Sequence, residues 1–277
     1  MTERYAIYYA PERETPLWRF GTSWLGRDPE TGEGLVARFG LSEELHARVV
    51  DTPAHYGFHG TLKPPFRLAA DTGVSDLRDA LKAFVATRQA FVLPQLHLGE
   101  LGGFLALLPE GNSTALAGLA ADCVTALDRF RAPLTDAEIA RRNPDRLEPG
   151  QRANLERWGY PYVLDAFRFH MTLTGRLAPD ELSRIRPVLD RASAELVREP
   201  VQVSSVALFH EPGPSEPFRL AGRYRFGGPA SNALYGVGSL SVSLSKVFGA
   251  ALGKRRSAWC GRARHKADGV SFHERVS

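Results

Sequence analysis

Five residues, Phe58-His59-Gly60-Thr61-Leu62, recur far downstream as Phe169-His170-Met171-Thr172-Leu173. A phrase repeated in one chain calls for two copies of one structural unit, and with it one site made of two halves. Both copies alternate as a β-strand does, with successive side chains on opposite faces. In the second copy Phe169, Met171 and Leu173 take one face, and His170, Thr172 and Thr174 take the other. In the first, Phe58 and Leu62 are the apolar positions, His59, Thr61 and Lys63 share the polar face, and Gly60 leaves room on the apolar side. Two strand residues rise roughly 6.6 Å. An imidazole and a hydroxyl at that separation suit an anion that one group holds while the other moves a proton.

The surroundings repeat as well. His59 is followed by a helix-like run over 75–88, a strand from Phe91 and, after a Gly-rich turn, a strand over 101–108. His170 is followed by a helix-like run over 179–198, a strand from Val201 and, after a Gly/Pro turn, a strand over 218–226. Phe91 lies 32 residues after His59 and Val201 lies 31 after His170, while Glu100 and Glu211 each lie 41 residues after their histidine. The fold expected is α+β: two similar lobes from an internal duplication, antiparallel sheets with covering helices, and the two His-x-Thr strands meeting at a central cleft. Two imidazoles on opposite sides of a phosphate serve as base and acid near neutral pH. His59 and His170 are thus the candidate catalytic pair, with His59 read as the acid and His170 as the base. Thr61 and Thr172 are the donors to the non-bridging oxygens, where charge builds.

Further candidates surround this pair. Tyr5, Ile7 and Tyr9 share a face of an N-terminal strand, which makes Tyr9 a candidate donor to phosphate. Arg27, in the turn after Gly26, is a candidate bidentate anion ligand. Lys63 extends the polar face of the first motif, and Tyr56 opens that motif; both join Tyr9 and Arg27 as substrate-binding candidates. A helix is expected from Leu41 to about Val50 with Ser42 as N-cap, ended by Thr52-Pro53. His55 and His59 stand four apart, the spacing of a helical metal pair, but Gly57 and the strand break any helix there. No metal and no cofactor is expected, and His97 reads as structural. Residues 135–155, with Arg141, Arg142, Arg146 and Arg152, form a basic insertion between the halves, read as a solvated helical connector with a lid over the cleft as the alternative. Pro187 is expected to kink or split its helix.

The 277 residues, 43% of them hydrophobic, suffice for one bilobal domain, placed at 1–227. From Gly228 the chain turns to Gly, Ser and Ala and then to basic residues, and is expected to be a flexible tail. That tail holds eight Lys/Arg against two acidic residues, out of 35 and 31 in the whole chain. The remaining body therefore has 27 basic against 29 acidic residues, so the formal charge of +4 belongs to the tail. A body without excess positive charge argues against a nucleic-acid partner, since such binding needs phosphate-neutralising cations. Only Cys123 and Cys260 occur, there is no secretory leader pattern, and no run of about 18 apolar residues is present. The expectation is a cytoplasmic protein with a small phosphorylated substrate and no membrane association.

Three stretches carry a family likeness: Arg4 to Pro11, Tyr56-Gly57-Phe58-His59-Gly60-Thr61-Leu62-Lys63-Pro64-Pro65-Phe66, and Phe167 to Gly175. Over roughly residues 4–227 the chain resembles the two-histidine phosphoesterase superfamily, which includes RNA 2′,5′-ligase-like proteins and cyclic nucleotide phosphodiesterases. Within it the chain is most similar to the branch linked to phosphonate metabolism. The resemblance implies a metal-independent phosphodiesterase acting on a cyclic or 2′-linked phosphate, and the branch implies a phosphoribosyl cyclic phosphate. Two alternatives compete with it: a non-catalytic phosphoribosyl- or nucleotide-binding protein, and an enzyme processing 2′,3′-cyclic RNA ends.

Overall fold

The structure, a computed structural model, describes residues 3–214 and 216–227, so the expected tail lies outside the described residues. The first half contains β1 (Arg4–Tyr9), α1 (Pro16–Leu25), α2 (Glu43–Tyr56), β2 (Gly60–Phe66), α3 (Val74–Val85), β3 (Phe91–Val92), β4 (Leu96–Leu101) and β5 (Phe104–Pro109). After α4 (Thr114–Ala126), α5 (Asp136–Arg141) and α6 (Pro149–Trp158), the second half contains β6 (Met171–Thr172), α7 (Pro179–Ser193), β7 (Gln202–Val203), β8 (Ser205–Glu211) and β9 (Arg219–Arg225).

Seven strands form one antiparallel sheet in the order β4-β5-β6-β2-β1-β8-β9, and β3 pairs with β7 in a separate two-stranded ribbon. The class is α+β, with a large antiparallel sheet and seven α-helices among the described residues. This differs from separate lobes with a sheet each. The motif strand β6 of the second half sits beside the hairpin β4–β5 of the first, and the hairpin β8–β9 of the second half sits beside β1. The physical reason lies in β6, whose two residues are too few to seed a sheet and which borrows both edges from first-half strands.

The two faces of β1 serve different purposes. Tyr5, Ile7 and Tyr9 enter the main core with Leu62, Leu107, Met171 and Leu208, covered by apolar residues of α1, α3, α4 and α7 such as Phe20, Leu81, Leu119 and Leu189. Ala6, Tyr8 and Ala10 point to the opposite face, with Trp18, Tyr56, Ala207, Phe209 and Phe218. Both faces are therefore apolar, as in a central strand buried on two sides.

Local capping sets the helix starts. The Ser42 hydroxyl accepts from the Leu45 N–H at 3.3 Å, as expected for the N-cap of α2. The end of α2 differs from expectation, because the helix runs through Pro53 to Tyr56. Proline has no N–H, so it leaves the carbonyl four residues back without an intrahelical partner. That carbonyl, on Val49, accepts instead from the Gly175 N–H at 2.8 Å, and the break becomes a tie to the second motif segment. α7 likewise continues through Pro187. The insertion between the halves is helical and fastened down. Arg67 donates to both Glu138 carboxylate oxygens at 3.1 and 2.8 Å, Arg131 donates to the Arg157 carbonyl at 3.1 Å, and Asn154 donates to the Val163 carbonyl at 3.0 Å.

Candidate functional site

The two motif strands are neighbours in the sheet. Gly60 pairs with Met171 in antiparallel register, so the residues on either side are reciprocally opposed, His59 with Thr172 and Thr61 with His170. On the flanks, Tyr8 pairs with Thr61 and Ala106 pairs with Thr172. Opposed residues of antiparallel strands present their side chains on the same face, which makes Tyr8, Thr61, His59, His170 and Thr172 one surface. β6 is short, but the backbone beyond it is held at almost every step. Leu173 N–H reaches the Leu105 carbonyl at 2.9 Å, the Leu173 carbonyl accepts from Trp24 Nε1 at 2.7 Å, and the Thr174 hydroxyl accepts from Leu105 N–H at 2.9 Å.

The histidines are oriented in the same way. His59 Nδ1 lies 2.8 Å from the Gly57 carbonyl, and His170 Nδ1 lies 2.8 Å from the Arg168 carbonyl, each two residues upstream. A carbonyl only accepts, so Nδ1 carries the proton in both rings, and Nε2 of the neutral form presents its lone pair. His59 Nε2 is 3.2 Å from the Thr61 hydroxyl, which donates to it when the ring is neutral.

Their surroundings differ. His59 is 7% exposed and stacks on Tyr8, with ring centroids 3.7 Å apart and planes 20° from parallel. His170 is half-buried and lies 5.7 Å from the Phe104 ring. Burial pushes the His59 pKa down to about 4; the Gly57 hydrogen bond opposes this, and the charge of His170 adds to it. Burial also lowers the pKa of His170, against the hydrogen bond to Arg168. Both rings are thus held neutral at pH 7 in this state, and a bound anion would restore part of their proton affinity.

The four substrate-binding candidates fall in different places. Tyr56 lies beside the pair, its ring stacked on Phe218 at 5.3 Å and 6.3 Å from His59. Tyr9 is on the opposite face, in the main core and 3% exposed. Tyr8 takes the position expected for Tyr9, and its fully buried hydroxyl has no hydrogen-bond partner among the described residues. Lys63 is drawn away from the motif surface: its ammonium bonds the Val124 carbonyl at 3.1 Å and the Asp128 carboxylate at 3.2 Å, and it is 1% exposed. An extra residue in β2 explains the redirection, since one step of β1 from Ile7 to Tyr8 spans two of β2 from Lys63 to Thr61. Arg27 donates to the Ala54 and His55 carbonyls at the end of α2, so its guanidinium is engaged with backbone. His55 is bound to Glu211 at 2.8 Å. Among the described residues no group of three or more His, Cys, Asp or Glu is arranged to hold a metal ion, and no helix is long and apolar enough to cross a membrane.

The fold and the site define an α+β protein with two oriented imidazoles at the starts of adjacent strands of one antiparallel sheet and two hydroxyls on those strands. The family described as "Protein of unknown function (DUF1045)" matches residues 61–219, and the chain belongs to that family. Its relatives include a protein of Janthinobacterium sp. (strain Marseille) named ribose 1,5-bisphosphate phosphokinase PhnN. That protein is 37% identical over 236 residues, which cover 83% of this chain and 52% of the relative. A protein of the same name from Laribacter hongkongensis (strain HLHK9) is 34% identical over 228 residues, covering 78% of this chain and 50% of the relative. The chain thus spans about half the length of the curated relatives it matches. Among solved structures, a conserved protein of unknown function from Agrobacterium tumefaciens str. C58 aligns with TM-score 0.40 and 14% identity, over 82% of this chain and 87% of that one. A structure described as a phosphoesterase aligns with TM-score 0.38 and 11% identity, over 82% of this chain and 99% of that one.

Proposed function

We propose that the chain is a phosphodiesterase of the two-histidine type, opening a small cyclic phosphate by acid–base catalysis between His59 and His170. The observation that carries this reading is the matched orientation of the two rings: each Nδ1 sits on a backbone carbonyl, and the antiparallel register sets each histidine opposite the other motif's threonine. A cyclic phosphodiester bound between them needs one proton removed from the attacking water and one delivered to the departing sugar oxygen. Two imidazoles supply both transfers, while Thr61 and Thr172 donate to the non-bridging oxygens. On this reading the repeated phrase marks an ancestral duplication whose halves now share a sheet.

The roles follow from burial. His59, its pKa pushed down to about 4, stays neutral at working pH, and its Nε2 lone pair is released to act as the base when the Thr61 hydroxyl turns to the phosphate. His170, more open to solvent than the 7%-exposed His59, is placed as the acid. This reverses the order written from the sequence, where the symmetry of the motifs gave no ground for choosing.

The name of the relatives supports a sugar-phosphate substrate. Water attacking phosphorus of a 5-phosphoribosyl 1,2-cyclic phosphate, with cleavage of the bond to O2 and protonation of O2, yields ribose 1,5-bisphosphate, the compound in that name. The kinase activity in the name is not assigned to this chain, which has no G-x-x-x-x-G-K-[S/T] phosphate loop.

The test is an assay of purified protein with EDTA on 5-phosphoribosyl 1,2-cyclic phosphate and 2′,3′-cyclic nucleotides. The expected result is turnover of the sugar phosphate, lost in His59→Ala and in His170→Ala with folding retained. Near-normal rates in either variant would end the scheme. Thermal stabilisation by the sugar phosphate without product would favour a binding protein, and preference for RNA ends with salt-dependent affinity would favour RNA processing.

A further inference from the structure

The carbonyl that orients His59 belongs to Gly57, the first residue beyond α2, and the last turn of that helix is gripped from two sides. On one side Arg27 donates Nε and Nη2 to the Ala54 carbonyl at 3.0 and 2.8 Å, and Nη2 also to the His55 carbonyl at 3.2 Å. Two residues on, Pro29 lies against Gly57: a Cβ on Gly57 would come within 2.9 Å of Pro29 Cβ, and Gly57 stands at φ 78°, where only glycine is at ease. On the other side the His55 ring binds the fully buried carboxylate of Glu211 at 2.8 Å, and Arg4 grips the same carboxylate through Nε and Nη2. The His55 carbonyl also accepts from Phe218 N–H at 2.8 Å. Burial alone would raise the Glu211 pKa, but His55 and Arg4 outweigh it and hold the carboxylate below its usual range. His170 takes its carbonyl from Arg168, an exposed residue outside regular structure.

Given the two-histidine reading, we infer that Arg27 and Glu211 are positioning residues: they fix the Ala54–Gly57 turn so that the Gly57 carbonyl holds His59 with its proton on Nδ1 and its lone pair on Nε2. A carbonyl free to swing would let His59 sample the other tautomer, whose Nε2 carries a proton and accepts none. A modest loss of alignment of this kind costs a reacting pair as much as about 100-fold in rate.

Arg27→Met removes all three hydrogen bonds to the turn, Arg27→Lys keeps one charged donor, and Glu211→Gln keeps the shape but not the charge. The expected result is a fall in kcat of about 100-fold for Arg27→Met with KM changed less than about threefold, with Arg27→Lys partly restored and Glu211→Gln intermediate. Nitrogen-15 NMR of histidine-labelled protein supplies a readout independent of turnover: wild-type His59 should show one Nδ1–H tautomer, and Arg27→Met and Glu211→Gln a mixture, with His170 unchanged. A single tautomer retained at His59 in both variants overturns the inference. So does unfolding of both, which would make these residues ordinary scaffold. If the wild type turns over no cyclic phosphate, the two-histidine reading fails while the tautomer measurement still decides the clamp.

Discussion

Gly60 of the first motif and Phe169 of the second interlock: a Cβ built on Gly60 would lie 2.3 Å from Phe169 Cε2 and 2.5 Å from Cζ. The residue that separates His59 from Thr61 is therefore small because the ring preceding His170 occupies its space. Phe169 is 6% exposed within the main core and has little room to retreat. Gly60→Ala should force the two strands apart, at a cost of about 1–3 kcal/mol from overpacking. Gly118, in α4, is the matched control, because a Cβ there meets nothing within 4 Å. Gly118→Ala should stabilise by roughly 0.5–1 kcal/mol through helix propensity. Denaturant melts of the two variants check both signs, and equal effects would remove the interlock from the account of the site.

Lys63 stands in the motif strand but serves the fold. Burial pushes its pKa down to about 8, with Asp128 acting in the opposite direction, so it remains a cation at neutral pH. Asp128 is shared, since Arg131 also binds it through Nε at 2.8 Å and Nη2 at 3.1 Å. Lys63→Met would leave Asp128 to Arg131 and deprive the buried Val124 carbonyl of this donor. The expected cost is about 1–3 kcal/mol of stability, with KM for a cyclic phosphate moved less than about twofold. A variant with unchanged melting temperature and a tenfold higher KM would return Lys63 to the substrate.

Much of this was legible in the chain and some was not, for identifiable reasons. The motif strands, the Ser42 cap, the covering helices and the hairpin ending in Arg219–Arg225 follow from local pattern, which depends on neighbours within a few residues. The side of β1 that faces the site is not legible in the sequence because Tyr5-Ala6-Ile7-Tyr8-Tyr9 is apolar on both faces and its alternation carries no direction. The direction of the Lys63 side chain is hidden from the sequence because its partners, Val124 and Asp128, lie 61 and 65 residues away. Pro53 read as a helix end because the donor that rescues Val49 is Gly175, in the other half of the chain. The roles assigned to Arg27 and Glu211 likewise depend on long-range contacts with the end of α2.

Stability should fall on mild acidification. Both His59 and His170 have folded pKa values below the ordinary 6.5, the first at about 4. Between those values the unfolded chain binds protons that the native rings refuse, so the contribution is fully present above about pH 6.5 and is lost as pH falls toward 4. For His59 alone the span corresponds to roughly 3 kcal/mol, at 1.36 kcal/mol per pKa unit. Glu138, held down to about 2 chiefly by Arg67, titrates at lower pH, so a window from pH 7 to 5 isolates the histidines, of which His46, also lowered by burial, adds a background of the same sign. Denaturant midpoints should decline across that window in the wild type and decline much less in a His59→Gln, His170→Gln double variant. A flat wild-type profile would mean that the rings are not held neutral.

Tyr8 and Tyr9 are adjacent residues on opposite faces, and their hydroxyls offer the most economical comparison of the two sides of the sheet. The Tyr8 hydroxyl is buried without a hydrogen-bond partner among the described residues, and such a group costs about 1–3 kcal/mol relative to one that is satisfied. Tyr8→Phe removes the polar atom but keeps the ring that stacks on His59 at 3.7 Å, so it should leave stability unchanged or raise it by about 1 kcal/mol. If that hydroxyl is kept for a bound ligand, the same variant should lower kcat/KM for a cyclic phosphate by about tenfold, the value of one hydrogen bond of roughly 1.4 kcal/mol. Tyr9→Phe, on the core face, should leave kcat/KM unchanged. Opposite signs for stability and activity in Tyr8→Phe would identify the phenol as a functional group that the fold retains at a cost. A Tyr8→Phe protein equal to wild type in both would reduce Tyr8 to a platform for the imidazole, and a kinetic defect confined to Tyr9→Phe would mean that substrate reaches the sheet from the face now filled by the core.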